Sequence, residues 1–334
     1  PMTEEAASPH DRRLDPISKR RLLSQDTGLV LVLLVLAVGF SIYSPYFLTA
    51  ANLSNVLLSV SVIGCMAAVS TLLIISRGLD LSLGSMVALC GMLTALTVEQ
   101  WHWPWPLGIA VGLFVGALCG ALNGALIAGL RINSIIVTVG SLAVFRGLAY
   151  LIKDGQSLLV ESSALLSFGS LRFFGLTVSV WIFAIVFAVV WFFSAHFKTG
   201  RSIYALGASP KAAWISGLRV LQLRFGLFVA SGVSAGLAGV LLIGQSGTAI
   251  PGSGMGYELM VITAVLLGST SLHGGEGSVI RTLLGVLIIG VLNNGMVLTS
   301  VPSFYQIIAN GALLLAAVVI DQIRNGAHKG PIES

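Results

Sequence analysis

Ten apolar runs, each about the length of a membrane span, leave this chain few folds to choose from. They centre near residues 35, 64, 91, 118, 142, 184, 234, 265, 289 and 312. A helical residue rises about 1.5 Å, so roughly 20 apolar residues cross a hydrocarbon core of about 30 Å. Within that core every backbone N–H and C=O must find a partner inside the protein, which favours helices. The expectation is an all-α polytopic membrane protein with about ten transmembrane helices. The third and eighth runs are short and interrupted by glycine or polar residues. They read either as full spans or as half-helices and re-entrant segments lodged in protein.

Charge placement supports the count. With the N-terminus in the cytoplasm, fifteen of the eighteen Lys and Arg residues fall on the cytoplasmic side. Lys153 and Arg172 fall outside, and Arg146 lies within a span. This is the positive-inside pattern, and an even number of spans places both termini in the cytoplasm. Trp101, Trp103 and Trp105 then occupy an outer interfacial loop. The net charge of +5 is accordingly a signal of topology and not of nucleic-acid binding. The first 25 residues are polar and do not resemble a cleavable secretory signal. The expected organisation is a cytoplasmic tail over 1–26, a transmembrane domain over 27–322 and a cytoplasmic tail over 323–334.

One polar loop interrupts this pattern. Residues 196–224 carry Lys198, Arg201, Lys211, Arg219 and Arg224, and the stretch from Lys198 to Arg219 has no acidic residue. Ser209 suits an N-cap, Pro210 the first helical position and Gly217 a left-handed C-terminal cap. Ala212, Ala213, Trp214 and Ile215 supply an apolar face. A helix of two turns is too short to stand alone and needs a packing partner. A partner protein at the membrane surface fits that need.

Elsewhere, Gly112, Gly116, Gly120, Gly124 and Ala128 recur every four residues along the fourth span. The seventh span has Ser231, Ala235 and Gly239, with Gly232 and Gly236 beside them. Such grooves let helix backbones approach closely. The sequence GALN at 120–123 is echoed by GVLN at 290–293, a candidate inverted five-and-five repeat of the kind transporters use. Cys65, Cys90 and Cys119 lie in apolar runs without metal-ligand spacing and read as small buried hydrophobes. No metal or cofactor site is expected in this chain.

Intramembrane charges are costly and are paired or functional. Here they are Asp80, Arg146 and Glu258. Depth along the helices permits an Arg146–Glu258 pair in the outer half, whereas Asp80 lies near the inner end. Two roles compete for that pair: fixing helix register, or lining a solute path. In RGLDLSLGS (77–85), Gly78 and Gly84 flank Asp80 and Ser82, and Ser82 or Ser85 is expected to cap the following helix. SLHGGEGS (271–278) reads as a glycine-rich turn. No phosphate-binding loop occurs, so the chain is not an ATPase by itself. The sequence GQSG at 244–247 has the form used by intramembrane serine proteases, with His273 as candidate base. The topology puts Ser246 and His273 on opposite membrane faces, beyond hydrogen-bond reach.

The basic loop, RGLDLSLGS and residues 256–295 together resemble the permease subunits of bacterial ATP-binding-cassette sugar importers of the second carbohydrate-uptake class, the ribose-permease type. The similarity runs from about residue 25 to 322. That family commonly has a proline near position 134, where this chain has Asn133 and Ser134. The resemblance implies a multi-pass protein of the bacterial inner membrane that moves a monosaccharide by alternating access. It implies cytoplasmic ATPase partners that use ATP and Mg, a periplasmic or lipid-anchored sugar-binding protein, and a second permease copy, identical or related. Gly207, Ala208, Ser209, Pro210, Lys211, Ala212, Ala213 and Gly217 would form the coupling helix seated on the ATPase. Charge reversal at Lys211, or Ala213→Arg, is expected to abolish coupled ATP hydrolysis. Asn123, Ser141, Asn293 and Asn294, with Arg146 and Glu258, would line a weakly binding path. Related permeases for branched-chain amino acids, nucleosides or a furanosyl signal molecule are the alternatives in cargo. A secondary transporter and an intramembrane protease are the alternatives in class.

Overall fold

All ten apolar runs are helices in the computed structural model, which describes residues 16–324. The chain runs through α1 (Pro16–Tyr43), α2 (Ala50–Ile75), α3 (Leu83–Glu99), α4 (Trp105–Gly124) and α5 (Ser134–Leu151). It continues through α6 (Ser163–Ser170), α7 (Val178–His196), α8 (Lys198–Ala208), α9 (Pro210–Ile215) and α10 (Val220–Ser246). Then come α11 (Tyr257–Leu267), α12 (Val279–Leu298) and α13 (Ser303–Arg324). A π-helical turn, Ala125–Gly129, closes α4. Among the described residues, strand pairing is confined to two short antiparallel ladders, Leu158–Leu159 with Thr248–Ala249 and Arg172–Phe173 with Leu176–Thr177. Residues 16–26, assigned to a tail from sequence, are the first turns of α1. The start of the N-terminal tail and the end of the C-terminal one lie outside the described residues.

Among the described residues, seven helices are long and apolar enough to cross a membrane, and α3, α11 and the Thr27–Tyr43 part of α1 are shorter apolar helices. The burial gradient gives the layering. Of the apolar windows, 83% of α2 is buried but only 6% of α13, so α2 is central and α13 faces lipid. The two glycine grooves meet as α4 packs on α10. A side chain at Gly116 would strike the carbonyl of Gly232, and one at Gly232 would strike the carbonyl of Gly116. Close backbone approach therefore explains both small-residue stripes.

The helices α3 and α11 are the short third and eighth runs, and each starts inside the protein. At about 1.5 Å per residue, the 11 residues of α11 rise roughly 16 Å, half of a bilayer core. Before α3, the chain turns at Arg77 and re-enters. Leu79 N donates to Ser134 Oγ at the first turn of α5, and Asp80 meets Ser231, eleven residues into α10. Before α11, residues 250–256 descend from the other face until Gly254 lies against Gly84 at the start of α3. Two short helices, only α11 of them as short as half a span, thus begin head to head within the protein, their irregular approaches buried.

Candidate functional site

The basic face is built by α8 and α9. Ser209 caps α9, accepting from Ala212 N at 3.2 Å, and Pro210 takes the first position. Gly217 is left-handed at φ 81°, and Leu218 N donates to Ala213 O. That is the expected helix, closed by a Schellman-type cap. Trp214 and Ile215 are 72% and 68% exposed, which leaves an apolar tip without packing on its own chain. Lys211 is exposed, whereas Ala213 is buried. Ala213→Arg therefore perturbs the loop itself, and only the charge reversal at Lys211 leaves it intact.

Gly207 and Ala208 do not belong to this exposed helix. They close α8, which buries Ile203, Leu206 and Gly207 against the membrane body. Gly207 lies so close to the carbonyl of Ile75 that a β-carbon would collide with it and with Gly275 N. The last carbonyls of α8 are held by Arg77, whose Nε donates to Gly207 O (2.6 Å) and Nη2 to Ala208 O (2.9 Å). Arg77 is itself the left-handed residue that ends α2, with φ 65°. Arg77 N donates to Ile74 O and Gly78 N to Leu73 O, a cap position that glycine usually fills. A left-handed residue with a β-carbon costs about 1–2 kcal/mol. The clamp on α8 is what the arginine supplies there. Gly275 N, in the glycine-rich turn after α11, adds a third tie to Ile75 O at 2.8 Å. Tyr204 of α8 donates to Gly277 O in the same turn, and burial pushes its phenol above the ordinary range.

Five residues beyond α2, the carboxylate of Asp80 sits in a buried polar cluster. Its Oδ1 accepts from Ser82 N (3.0 Å) and Ser82 Oγ (2.6 Å), and its Oδ2 from Ser231 Oγ of α10 (2.8 Å). Asn123 Nδ2 of α4 donates to Ser82 Oγ at 3.0 Å, and Ser141 Oγ of α5 donates to Asn123 Oδ1. All five are buried. The motif residues and two of the residues assigned to the path therefore form one joint between α3, α4, α5 and α10. The expected side-chain caps are absent. Ser82 holds the N-cap position of α3 but directs its hydroxyl to Asp80, and Ser85 Oγ donates back to Ser82 O.

The outer break is made differently. Arg146 does not bond Glu258 directly. Its Nη1 donates to Pro251 O and Ser253 O, both at 2.7 Å, while Glu258 Oε1 accepts from Gly256 N at 3.2 Å. Both side chains fasten the descending loop, and Glu258 Oε2 is buried beside Gly84 with no hydrogen-bond partner among the described residues. Asn293 and Asn294 act between helices. Asn294 and Asn52 exchange reciprocal amide bonds at 2.9 Å, joining α12 to α2. Asn293 Oδ1 accepts from Asn310 Nδ2 of α13 at 3.0 Å. At 133–134, where the family commonly has proline, Asn133 caps the start of α5 and its Oδ1 accepts from Ile135 N. The three cysteines are free and buried. Ser246 Oγ is bonded to Leu242 O and Thr248 O at the end of α10, while His273 lies in the turn packed on the opposite end of α2, so no nucleophile–base pair forms.

Comparison with known proteins gives one family and a set of full-length relatives. Residues 52–318 match the family model described as the branched-chain amino acid transport system / permease component. The L-arabinose ABC transporter permease protein AraH of Azospirillum brasilense is 36% identical, covering 91% of this chain and 89% of its own. The ribose import permease protein RbsC of Escherichia coli is 37% identical over 87% of this chain and 92% of its own. The protein of the same name from Bacillus subtilis is 39% identical over 89% and 93%. No solved structure matches the chain.

Proposed function

The chain belongs to the branched-chain amino acid transport system permease family, multi-pass inner-membrane subunits of ABC transporters, and we propose that its own cargo is a monosaccharide of pentose or hexose size carried into the cytoplasm. The observation that carries the cargo is the near full-length similarity to permeases named for arabinose and ribose. The family description itself favours a second reading, a branched-chain amino acid. Uptake of labelled ribose, arabinose and leucine by cells lacking and regaining this chain separates the two. Restoration of pentose uptake supports the first reading, and restoration of leucine uptake alone refutes it.

In this reading the exposed tip of α9 seats on an ATPase that uses ATP and Mg, and a sugar-binding protein delivers cargo from the outer side. A second permease copy completes the pore. Movement of α9 passes to α8, and through the Arg77 clamp to the end of α2. The Asp80 joint lies immediately beyond, so a shift of the clamp bears on α3, α4, α5 and α10 together. The starts of α3 and α11 then part or close where Gly84 meets Gly254, alternately exposing the path. The buried and mutually bonded state of Asn123 and Ser141 supports a path shut at that level in this conformation. Lys211→Glu tests the first step: insertion persists while coupled ATP hydrolysis is lost, and unchanged transport would remove α9 from the scheme.

A further inference from the structure

Two adjoining cavities lie on the basic face beside α9. The smaller, about 220 Å³, is lined by Ser76, Asn133 and Ser134 and by three guanidinium groups, those of Arg77, Arg131 and Arg224. The larger, about 510 Å³, shares Arg131 and Arg224 and is otherwise walled largely by apolar groups, among them Ile132, Leu221 and Trp214. No acidic residue lines either cavity.

This is an unusual concentration of uncompensated charge. Arg77 directs two donors to the carbonyls of α8, but among the described residues neither Arg131 nor Arg224 donates a hydrogen bond. Arg131 is exposed, but Arg224 is half-buried, and charge taken from water is normally paired. Arg131 is held at φ 58°, a left-handed conformation that residues with a β-carbon seldom adopt, two residues past the π-helical turn. The capped N-terminus of α5 at Asn133 and Ser134 adds the partial positive charge of a helix start. Planar guanidinium forks with free donors suit a phosphate oxygen. The apolar wall decides which phosphate. Leu221, at the first turn of the membrane helix α10, and Trp214 are 48% and 72% exposed, so the larger cavity opens along an apolar surface.

We propose that the two cavities hold one anionic phospholipid, its phosphate between Arg131 and Arg224 and an acyl segment along Ile132 and Leu221. Basic pockets between helices on the cytoplasmic side suit such headgroups. Pro210, Lys211 and Trp214 of α9 border the same cavity, so bound lipid steadies the seat of the coupling helix. The site is independent of the cargo.

The test assembles the chain with its ATPase in nanodiscs of phosphatidylcholine containing a minor fraction of phosphatidylglycerol. Native mass spectrometry then counts the lipid retained on release. Phosphatidylglycerol is expected to be retained over phosphatidylcholine, and the Arg131→Gln/Arg224→Gln pair to lower its retention roughly tenfold or more. The Arg131→Lys/Arg224→Lys pair keeps the charge and most of the retention. Should the Gln pair fail to fold, raising ionic strength on the unaltered complex must release the lipid. Equal retention of both lipids, or retention indifferent to the Gln pair and to salt, overturns the site. Displacement by inorganic phosphate alone would make it a site for a soluble anion. Lipid held by the isolated chain but expelled by the ATPase would make it part of the protein interface.

Discussion

The two breaks that launch α3 and α11 are alike in place and opposite in bonding. Each carries one carboxylate, and the two helix starts touch at Gly84 and Gly254. At the inner break Asp80 accepts three hydrogen bonds, and its neighbours extend the joint to α4, α5 and α10. At the outer break Glu258 accepts one bond of 3.2 Å, leaves an oxygen unpartnered, and Arg146 grips backbone carbonyls instead of the carboxylate. A satisfied buried network is rigid, and a partly satisfied one is the place where rearrangement costs least. In the proposed scheme, the inner break would be the fixed joint that receives force from α9, and the outer break the part that changes partners as the path opens.

That contrast can be broken by substitution. The largest effect belongs to Asp80→Ala, which strands Ser82 and Ser231 hydroxyls in the core and removes the acceptor of three hydrogen bonds. Each such bond contributes about 0.5–1.5 kcal/mol net, and buried groups left unsatisfied add to the loss. Discounting for relaxation, a loss of about 3 kcal/mol is expected, read as a lower unfolding temperature in detergent together with loss of uptake. Glu258→Gln should cost about 1 kcal/mol, since its weak backbone bonding and its attraction to the half-buried Arg146 are at stake, yet uptake should still fall. An equal fall in unfolding temperature for the two variants would erase the difference between the breaks. The smallest effect on uptake belongs to Asn294→Ala. It removes a reciprocal amide pair that fixes α12 on α2, where interhelical hydrogen bonds average about 0.6 kcal/mol. A slight thermal shift with uptake intact is expected, and abolished uptake would return Asn294 to the path.

Much of this was readable in the chain because it is local. Apolar length marks the ten helices, Ser209, Pro210 and Gly217 mark α9, and four-residue glycine spacing marks the α4–α10 contact. What escaped depends on contacts between distant segments. Ser82 looks like a cap until Asp80 and Asn123 claim its hydroxyl. Arg146 invites a carboxylate partner, but its acceptors are backbone carbonyls of Pro251 and Ser253, which no side-chain pattern announces. Lys198 and Arg201 hid α8 within an apparently irregular basic loop. Arg77 occupies a position where glycine is the usual cap, so only its bonds to Gly207 and Ala208 reveal its use.

The Arg77 clamp is where the coupling loop and the membrane joint meet, and Arg77→Lys in the reconstituted transporter tests it most directly. Lysine keeps the positive charge but cannot reproduce the fork onto two carbonyls. Measured together in proteoliposomes, ATP hydrolysis should stay within about twofold of the unaltered complex while cargo uptake falls about tenfold, the loss of roughly one charge-assisted hydrogen bond from coupling. Uptake and hydrolysis both unchanged, or falling in the same proportion, would contradict a clamp that transmits movement from α9 to the inner break.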